Sequence, residues 1–399
     1  MKIALVSQEY PPETAHGGIG SQTYLKAHGL AARGHHVTVI SRSCDHERHM
    51  YLDGAVQVIR VPGMEVKLAL NTEIADWLTY SVQVAIELST LCEREAINLI
   101  DVPEWACEGY AYLINRSEWE RVPVVVQLHG PLVLFANAIG WPSTNSEFYR
   151  VGRMMEATCL RLADAIFSSS ACSADWCARE YDLAREQIRT WHAGVDTRLF
   201  SPNTSVHHDR PTIVFAGRVT ADKGVPLLVR ASIRLTAEIP DLRLRILGRG
   251  DEGLIRQLQR EATAAGCEQL LEFGGFVGRE SLPAELRQAD VFAGPSTYEP
   301  GPGLVYLEAM ACGLPVVACR SAGAIEVIRE GKTGLLVPPD NLDALTDALR
   351  QLLKQPELRQ AMGRQARQYV ADQADSQVCV ERLEAFYLEV LERTKVAQS

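Results

Sequence analysis

Two cations flanked by glycines lie between a predicted strand and a predicted helix in the second half of the chain. The segment reads Gly217-Arg218-Val-Thr-Ala-Asp-Lys223-Gly224. Two positive side chains, together with the backbone amides at a helix start, suit the double charge of a diphosphate. A solvated arginine and lysine in a surface loop is the alternative interpretation.

Two glutamates stand in a second candidate segment, which runs from Ser296 to Gly313. Gly303 is predicted to open a helix, so that the amides of its first turn point toward the strand ends. Glu308 lies inside that predicted helix, within an apolar run. A carboxylate there needs a hydrogen-bond donor such as a sugar hydroxyl. A helix glutamate paired with an arginine is the alternative.

A glycine loop follows the first predicted strand of the chain. It contains Gly17 and Gly18 and precedes a predicted helix. Because glycines let backbone amides approach closely, an anion can bind at such a helix start. A plain tight turn explains the same residues.

Three further candidates follow later strands of the first half. His129 follows the predicted strand Val122–Leu128, where it can hydrogen-bond a substrate hydroxyl or stabilise developing charge. Glu104 and Trp105 follow another strand and suit hydrogen bonding and stacking with a sugar acceptor. A structural histidine and a core tryptophan are the alternatives.

One motif argues for a different ligand. Gly248-Arg249-Gly250-Asp-Glu-Gly253 matches the GxGxxG pattern of dinucleotide-binding proteins. The pattern belongs on the first strand of its domain, however, and here it follows the second, so NAD or FAD binding is disfavoured. The chain contains no Asp-x-Asp triplet, the usual acidic clamp for a metal–diphosphate, so neither a cofactor nor a metal is expected.

Short apolar runs alternate with longer helical patterns, which predicts parallel sheets covered by helices. The pattern restarts after a polar, turn-rich segment. We therefore predict an α/β chain of two Rossmann-like domains. The boundaries are residues 1–200 for the first domain, 201–210 for a linker, 211–375 for the second domain and 376–399 for an amphipathic terminal helix.

Composition excludes several other classes. The chain has 399 residues, and 40 Lys+Arg against 50 Asp+Glu leave a formal charge of −10, which disfavours a nucleic-acid partner. No apolar run reaches the roughly 18–20 residues that a membrane helix needs. We expect a cytoplasmic protein without strong membrane association. The acidic excess lies mainly in the first half and favours a neutral acceptor.

Taken together, these segments resemble the retaining glycosyltransferases of the GT-B fold (group 1, family 4-like). The resemblance covers nearly the whole chain, and its motifs occur in the family's order and spacing. They are Gly17-Gly18, His129-Gly130, His192-Ala-Gly194-Val-Asp196, Gly217-Arg218…Lys223-Gly224 and Glu299…Glu308-Ala-Met-Ala-Cys-Gly-Leu-Pro315-Val316.

The resemblance implies a role for each candidate. The C-terminal domain would bind a nucleotide sugar and the N-terminal domain an acceptor, across a cleft that the terminal helix crosses back over. The implied catalytic residues are His129, Arg218, Lys223 and Glu299. The implied donor contacts are Gly17, Gly18, Arg218, Lys223, Val277 (backbone, to the base), Gly303, Leu304 (amides, with Glu299, to the sugar) and Glu308 (to the ribose).

The implied reaction moves a hexose from a UDP- or GDP-linked sugar to an acceptor hydroxyl, with α configuration retained and no metal. Eight residues separate Glu299 from Glu308, one more than is usual in the family, and Pro300-Gly-Pro302 is expected to absorb the extra residue. A second departure is Ala193, where asparagine is common. The alternatives are a nucleotide-sugar epimerase on the same fold and a catalytically silent sugar-nucleotide-binding protein.

Overall fold

The computed structural model describes residues 1–14, 18–45, 47–63, 70–117, 122–203, 209–299, 301–321 and 323–398. Residues 396–398 are described by their backbone alone. The chain forms two compact units. The first comprises Met1–Gly194 and Ser376–Ser399, and the second comprises Val195–Asp375.

The first unit is built on an eight-stranded sheet in the order β3-β4-β2-β1-β5-β6-β7-β8. All neighbouring pairs are parallel except β3 with β4 at one edge. The strands are β1 Lys2–Val6, β2 His36–Arg42, β3 His49–Asp53, β4 Val56–Val61, β5 Leu99–Pro103, β6 Val124–Leu128, β7 Ala165–Ser168 and β8 Ile188–Thr190.

Helices cover both faces of this sheet, because successive strand residues point in opposite directions and both sets are apolar. Ile3 and Leu5 belong to the core cluster under α1, and Ala4 and Val6 belong to the cluster under α2, α4, α5 and α6. The helices are α1 Gly18–Ala32, α2 Thr72–Glu95, α3 Tyr110–Asn115, α4 Leu132–Ile139, α5 Glu147–Leu162 and α6 Ala171–Tyr181.

The second unit is built on a six-stranded, fully parallel sheet in the order β11-β10-β9-β12-β13-β14. The strands are β9 Thr212–Ala216, β10 Arg243–Leu247, β11 Leu271–Gly275, β12 Val291–Gly294, β13 Val316–Cys319 and β14 Gly334–Val337. The helices are α7 Val225–Leu235, α8 Glu252–Ala264, α9 Leu282–Leu286, α10 Leu304–Ala311, α11 Ala324–Val327, α12 Leu342–Lys354 and α13 Pro356–Gln373.

The boundary between the units lies at Gly194 and Val195, a few residues before the predicted position at 200. The Val195 amide donates to Ala374 O over 2.8 Å, and Phe200 is buried in the core of the second unit. Arg287 donates to Ser201 O. The predicted linker therefore begins within the second unit, and its residues 204–208 lie outside the described residues.

The last helix, α14 Ser376–Gln398, belongs to the first unit, which confirms that the terminal helix returns to the N-terminal domain. Val380, Leu383 and Tyr387 join the same core cluster as α1. The Tyr387 hydroxyl donates to Asp101, which also accepts from Lys26 over 2.8 Å. Along the described part of the chain, no helix has the length and apolar character to cross a membrane.

Candidate functional site

Two loops at the carboxyl ends of β9 and β12 pack directly against each other. Gly224, at φ +72°, allows this packing because a Cβ there would lie 2.0 Å from Pro295 O. The Thr297 amide also donates to Asp222 O over 3.0 Å. Ligands of open parallel sheets bind at this edge, so these contacts build the floor of a candidate site.

Lys223 and Glu299 meet on that floor. Lys223 Nζ lies 2.7 Å from Glu299 Oε2, and the two side chains are only 19% and 18% exposed. Arg218, by contrast, is 69% exposed and approaches Asp222 no closer than 3.8 Å. The structure thus brings two of the predicted residues into one ion pair and leaves the third cation at the surface.

Helix α10 begins beside Glu299. Gly303 has φ +65°, and a Cβ there would lie 2.6 Å from the Tyr306 ring and 3.4 Å from Glu299 Cγ. The amides of Leu304 and Val305 have no acceptor within the helix, whereas the Tyr306 amide donates to Gly303 O over 2.9 Å. A carboxylate and a helix start are therefore adjacent.

The additional residue between the glutamates does not move Glu299 away from the helix start. The Gly323 amide donates to Glu299 O over 3.0 Å and anchors the turn. Pro300 itself lies outside the described residues. The contact of Gly323 with this turn could not be predicted from the sequence, because nothing near Glu299 marks a partner so distant along the chain.

Glu308 lies one turn further along α10 and keeps part of its surface exposed. Burial raises the pKa of its carboxyl to about 7, and the charge of Arg279 opposes that shift. Among the described residues its carboxylate has no hydrogen-bond donor, so a ligand hydroxyl can supply one. Arg279 was missed from the sequence, although its place in the loop after β11 is itself a signal.

Val277 follows β11, as expected, and is half-buried against the core of the second unit. Its neighbour Phe276 is 51% exposed, and the Arg249 guanidinium lies 5.0 Å from the centre of its ring. The guanidinium and the aromatic ring lie together just after the end of a strand, and a nucleobase can stack on such a flat pair.

The GxGxxG motif has a structural explanation. A Cβ on Gly248 would lie 1.8 Å from Gly217 O, and one on Gly250 would lie 2.4 Å from Val219 O. The Val219 amide donates to Arg249 O over 2.8 Å. The glycines are required because two neighbouring loops touch, which removes the reason to assign them to a dinucleotide.

His129 forms the turn after β6 in the first unit. Burial lowers the pKa of its imidazole to about 3, with the charge of Lys26 adding to the effect, so the ring is neutral at pH 7. Its Nδ1 is buried and has no hydrogen-bond partner among the described residues. A neutral ring with an unused polar atom suits hydrogen bonding to a ligand.

The structure corrects the prediction for Glu104. Its carboxylate is fully buried and accepts the His129 amide at 2.7 and 2.8 Å and the Gly130 amide at 2.6 Å. An acceptor cannot reach this carboxylate, and Glu104 instead supports the His129 turn. Trp105 is half-buried, with its ring centre 5.7 Å from that of Trp77.

The predicted glycine loop is described only in part. Gly17 lies outside the described residues, whereas Gly18 is the exposed first residue of α1. The position of Gly18 at a helix start agrees with the predicted geometry, and its contact with a donor phosphate stays a prediction.

Comparison with known proteins connects these features. Residues 197–369 match the family model "Glycosyl transferases group 1", and residues 16–199 match "Glycosyltransferase Family 4". The chain is 30% identical over 378 residues to a D-inositol 3-phosphate glycosyltransferase of Saccharomonospora viridis, which covers 90% of this chain and 86% of that protein. The chain belongs to the group 1 glycosyltransferases.

A further relative and a solved structure agree. A GDP-mannose-dependent alpha-(1-6)-phosphatidylinositol monomannoside mannosyltransferase of Mycolicibacterium smegmatis is 39% identical over 194 residues, 45% of this chain and 50% of that protein. Sucrose-phosphate synthase from Thermosynechococcus elongatus superposes with a TM-score of 0.83 at 23% identity, covering 98% of this chain and 99% of that one. The glycosyltransferase therefore has the GT-B fold.

Three buried glutamates support loops in the first unit of this glycosyltransferase. Glu104 holds the His129 turn, Glu108 accepts the Gln8 amide at 2.8 Å, and Glu156 accepts the Leu132 amide at 2.7 Å. Burial raises the pKa of each carboxyl, to about 7 for Glu104 and about 8 for the other two. Glu108 and Glu156 could not be recognised from the sequence, because a buried glutamate and an exposed one have the same local sequence pattern.

The raised pKa values of these glutamates predict how the free energy of unfolding depends on pH. Between the unfolded pKa near 4.5 and the folded value near 8, Glu156 holds a proton that the unfolded chain has released. Stability therefore falls as pH rises, by up to about 1.4 kcal/mol per pH unit for each such group. We expect the difference in melting temperature between Glu156→Gln and wild type to shift in favour of Glu156→Gln as pH is raised from about 5 to about 8.

Thermal melts of the two proteins across this range measure the effect. Glu381→Gln, at a side chain that is 57% exposed on α14, is the matched control. A constant difference between Glu156→Gln and wild type at every pH would contradict the prediction.

No group of three His, Cys, Asp or Glu side chains that could hold a metal ion occurs among the residues that the structure describes. The expectation that this glycosyltransferase needs no metal stays a prediction, and metal addition and chelation test it.

Proposed function

We propose that this group 1 glycosyltransferase transfers a hexose from a nucleoside-diphosphate sugar to an acceptor hydroxyl, with the α configuration retained and without a metal. The observation that carries the proposal is the Lys223–Glu299 ion pair of 2.7 Å beside the start of α10. Side by side, the two side chains would supply a cation for a phosphate and a carboxylate for sugar hydroxyls.

Binding of the donor would break this ion pair. Lys223 Nζ would exchange the carboxylate for a phosphate oxygen, and Glu299 would then accept hydrogen bonds from hydroxyls of the transferred sugar. Arg218, whose side chain is 69% exposed, would move onto the same diphosphate. The pair keeps both side chains in position before the donor arrives.

The chemistry requires charge stabilisation at the leaving group. As the bond from the sugar carbon to the phosphate oxygen breaks, its electron pair stays on that oxygen, where Lys223 and Arg218 neutralise it. The acceptor oxygen bonds to the same carbon, and its proton passes to the departing phosphate. The amides of Gly303 and Leu304 would hold the sugar during the transfer.

Other contacts would select the nucleoside. Glu308, still without a donor in the described chain, would accept from the ribose hydroxyls, and backbone near Val277 would meet the base. The name of the 39% identical relative specifies GDP-mannose, which supports a nucleoside-diphosphate hexose as the donor class. The epimerase and the silent binding protein gain no support from these relatives.

The test is a panel of UDP-, GDP- and ADP-hexoses, screened first by thermal shift and then by nucleoside-diphosphate release with a panel of acceptors. Acceptor-dependent release supports the transferase. Conversion of the nucleotide sugar without an acceptor would support the epimerase, and binding without turnover would support the silent protein. The anomeric coupling constant of the product reports retention directly.

His129 is expected to assist as a neutral hydrogen-bonding group, because its pKa of about 3 excludes an imidazolium at neutral pH. We predict that His129→Ala lowers kcat by about 100-fold, and that His129→Asn, which keeps a neutral donor, loses less. Donor affinity, measured by calorimetry, should stay within about threefold of wild type because most of the implied donor contacts lie in the second unit. Equal losses in both variants would contradict this role.

A further inference from the structure

The first unit exposes a group of apolar side chains next to the His129 turn. This apolar wall consists of Trp105, Phe135, Ile139 and Trp141. Ile139 is 37% exposed and Trp141 is 44% exposed. Trp105 and Phe135 are half-buried, with their ring centres 5.7 Å apart, and Trp105 and Trp141 are 6.4 Å apart.

Buried rings fix the wall from beneath. Trp77 and Phe148, which are 9% and 5% exposed, pack edge-on at 5.0 Å. Trp77 contacts Trp105 at 5.7 Å, and Phe148 contacts Trp141 at 5.8 Å. The exposed face is therefore held in place by the core rather than carried on a free loop, which lowers the entropy cost of binding something to it.

The wall is continuous with the His129 turn. Trp105 directly follows Glu104, whose carboxylate accepts the amides of His129 and Gly130. Phe135 lies on α4, which begins at Leu132 just after that turn. Both segments follow the carboxyl ends of β5 and β6, the edge at which parallel sheets bind ligands.

The chemistry of the wall excludes a charged occupant. From Leu128 to Ser146 the chain contains no Asp, Glu, Lys or Arg. Two polar side chains of this stretch bond to its own backbone: Asn137 Nδ2 donates to Val133 O, and Ser146 Oγ donates to Ser143 O. Neither ionic groups nor a dense set of sugar hydroxyls finds matching partners here.

A membrane surface is the less favoured occupant. Docking to anionic lipid needs clustered lysines and arginines beside the apolar face. The next charged residues along the chain are Glu147 and Arg150, which are opposite in sign, and Arg150 donates to Asn145 O.

We propose that the wall binds an uncharged hydrocarbon portion of the acceptor, so that the acceptor is a hydroxyl compound with an alkyl or prenyl-like group. This inference rests on the proposed transferase function, because only a transferase has an acceptor. The binding surface itself is defined by the first unit alone. Each methylene buried on it strengthens binding by about two- to fourfold.

Calorimetric titration of the full chain with methyl, hexyl and octyl β-D-glucopyranoside, each below its micelle concentration, tests the proposal without requiring turnover. Affinity should rise by about fourfold or more from hexyl to octyl. Trp141→Ala and Ile139→Ser should each weaken octyl glucoside binding by about tenfold or more and leave the methyl glycoside unchanged.

Trp176→Ala is the matched control, because Trp176 is a half-buried tryptophan on α6 that contacts Arg179 instead of the wall. An unchanged melting temperature in every variant shows that the fold survives. Equal affinity for all three glycosides in wild type would overturn the proposal. So would binding to phosphatidylcholine vesicles without any dependence on chain length, which would indicate membrane docking.

The two proposals fail in different ways. If no nucleotide sugar is turned over, the transferase function fails while chain-length-dependent binding can still be measured. If turnover occurs but the length of the alkyl chain has no effect on binding, only the proposed role of the apolar wall is excluded.

Discussion

Lys223→Ala is expected to lower kcat/KM for glycosyl transfer by about 1000-fold or more while the fold survives. The lysine is the half-buried cation on the site floor, and its loss removes the charge that stabilises the departing diphosphate. It also leaves Glu299 without its 2.7 Å partner, so the sugar-binding carboxylate loses its fixed position. Initial rates over a range of donor concentrations measure the change.

The double variant Lys223→Ala/Glu299→Ala distinguishes a joint function from two separate ones. Residues that act as a unit are not additive, so the double variant should lose about as much as Lys223→Ala alone. Lys354→Ala is the matched control, since Lys354 belongs to the same unit and pairs with Glu238 at the surface. Full activity of Lys223→Ala, with an unchanged melting temperature, would remove Lys223 from the site.

Glu308→Ala is expected to lower kcat/KM by about 100-fold or more, mainly through a higher KM for the donor. The ribose hydroxyls would lose their acceptor, and a carboxylate-sized gap would open in α10. Glu308→Gln keeps the size of the side chain and tests charge alone. Glu261→Ala, on α8 of the same unit, is the control, because Glu261 pairs with Arg230 at 3.3 Å and accepts from Gln257 at 3.0 Å, away from the candidate site.

The raised pKa of Glu308 adds a pH signature. Only the ionised carboxylate accepts from two hydroxyls, and its pKa is about 7. Donor KM should therefore rise as pH falls from about 8 to about 6, approaching tenfold per pH unit below the pKa. Glu308→Gln should show no such dependence. An identical pH profile in the two proteins would exclude Glu308 as the titrating group.

Much of the fold could be predicted from the sequence because strands of parallel sheets are continuous apolar runs. Val56–Val61 and Ala165–Ser168 are mostly apolar runs of this kind, and each is a strand over its whole length. The strand β3, His49–Asp53, was missed, since Met50 and Leu52 are exposed at 59% and 74% and the strand has no buried run. Helix α13 was missed because its low apolar content gives little periodicity.

The residues of the candidate site could be predicted from the sequence, but the contacts between them could not. Residues at strand ends converge because parallel strands end at one edge, so Arg218, Lys223, Glu299 and Glu308 could be named in advance. Their contacts depend on loop packing between segments far apart in sequence. Hence Lys223 pairs with Glu299, while Arg218 stays at the surface.

By itself, then, the sequence determined the two parallel-sheet units, the returning helix and the residues at the strand ends, because periodicity and chain order are local properties. Only the tertiary structure decided which carboxylates are buried. It showed Glu104 beneath the His129 turn, the motif glycines at Gly248 and Gly250 as contact points between loops, and the apolar wall around Trp141. Burial and close approach arise from distant segments meeting, and no pattern along the chain records them.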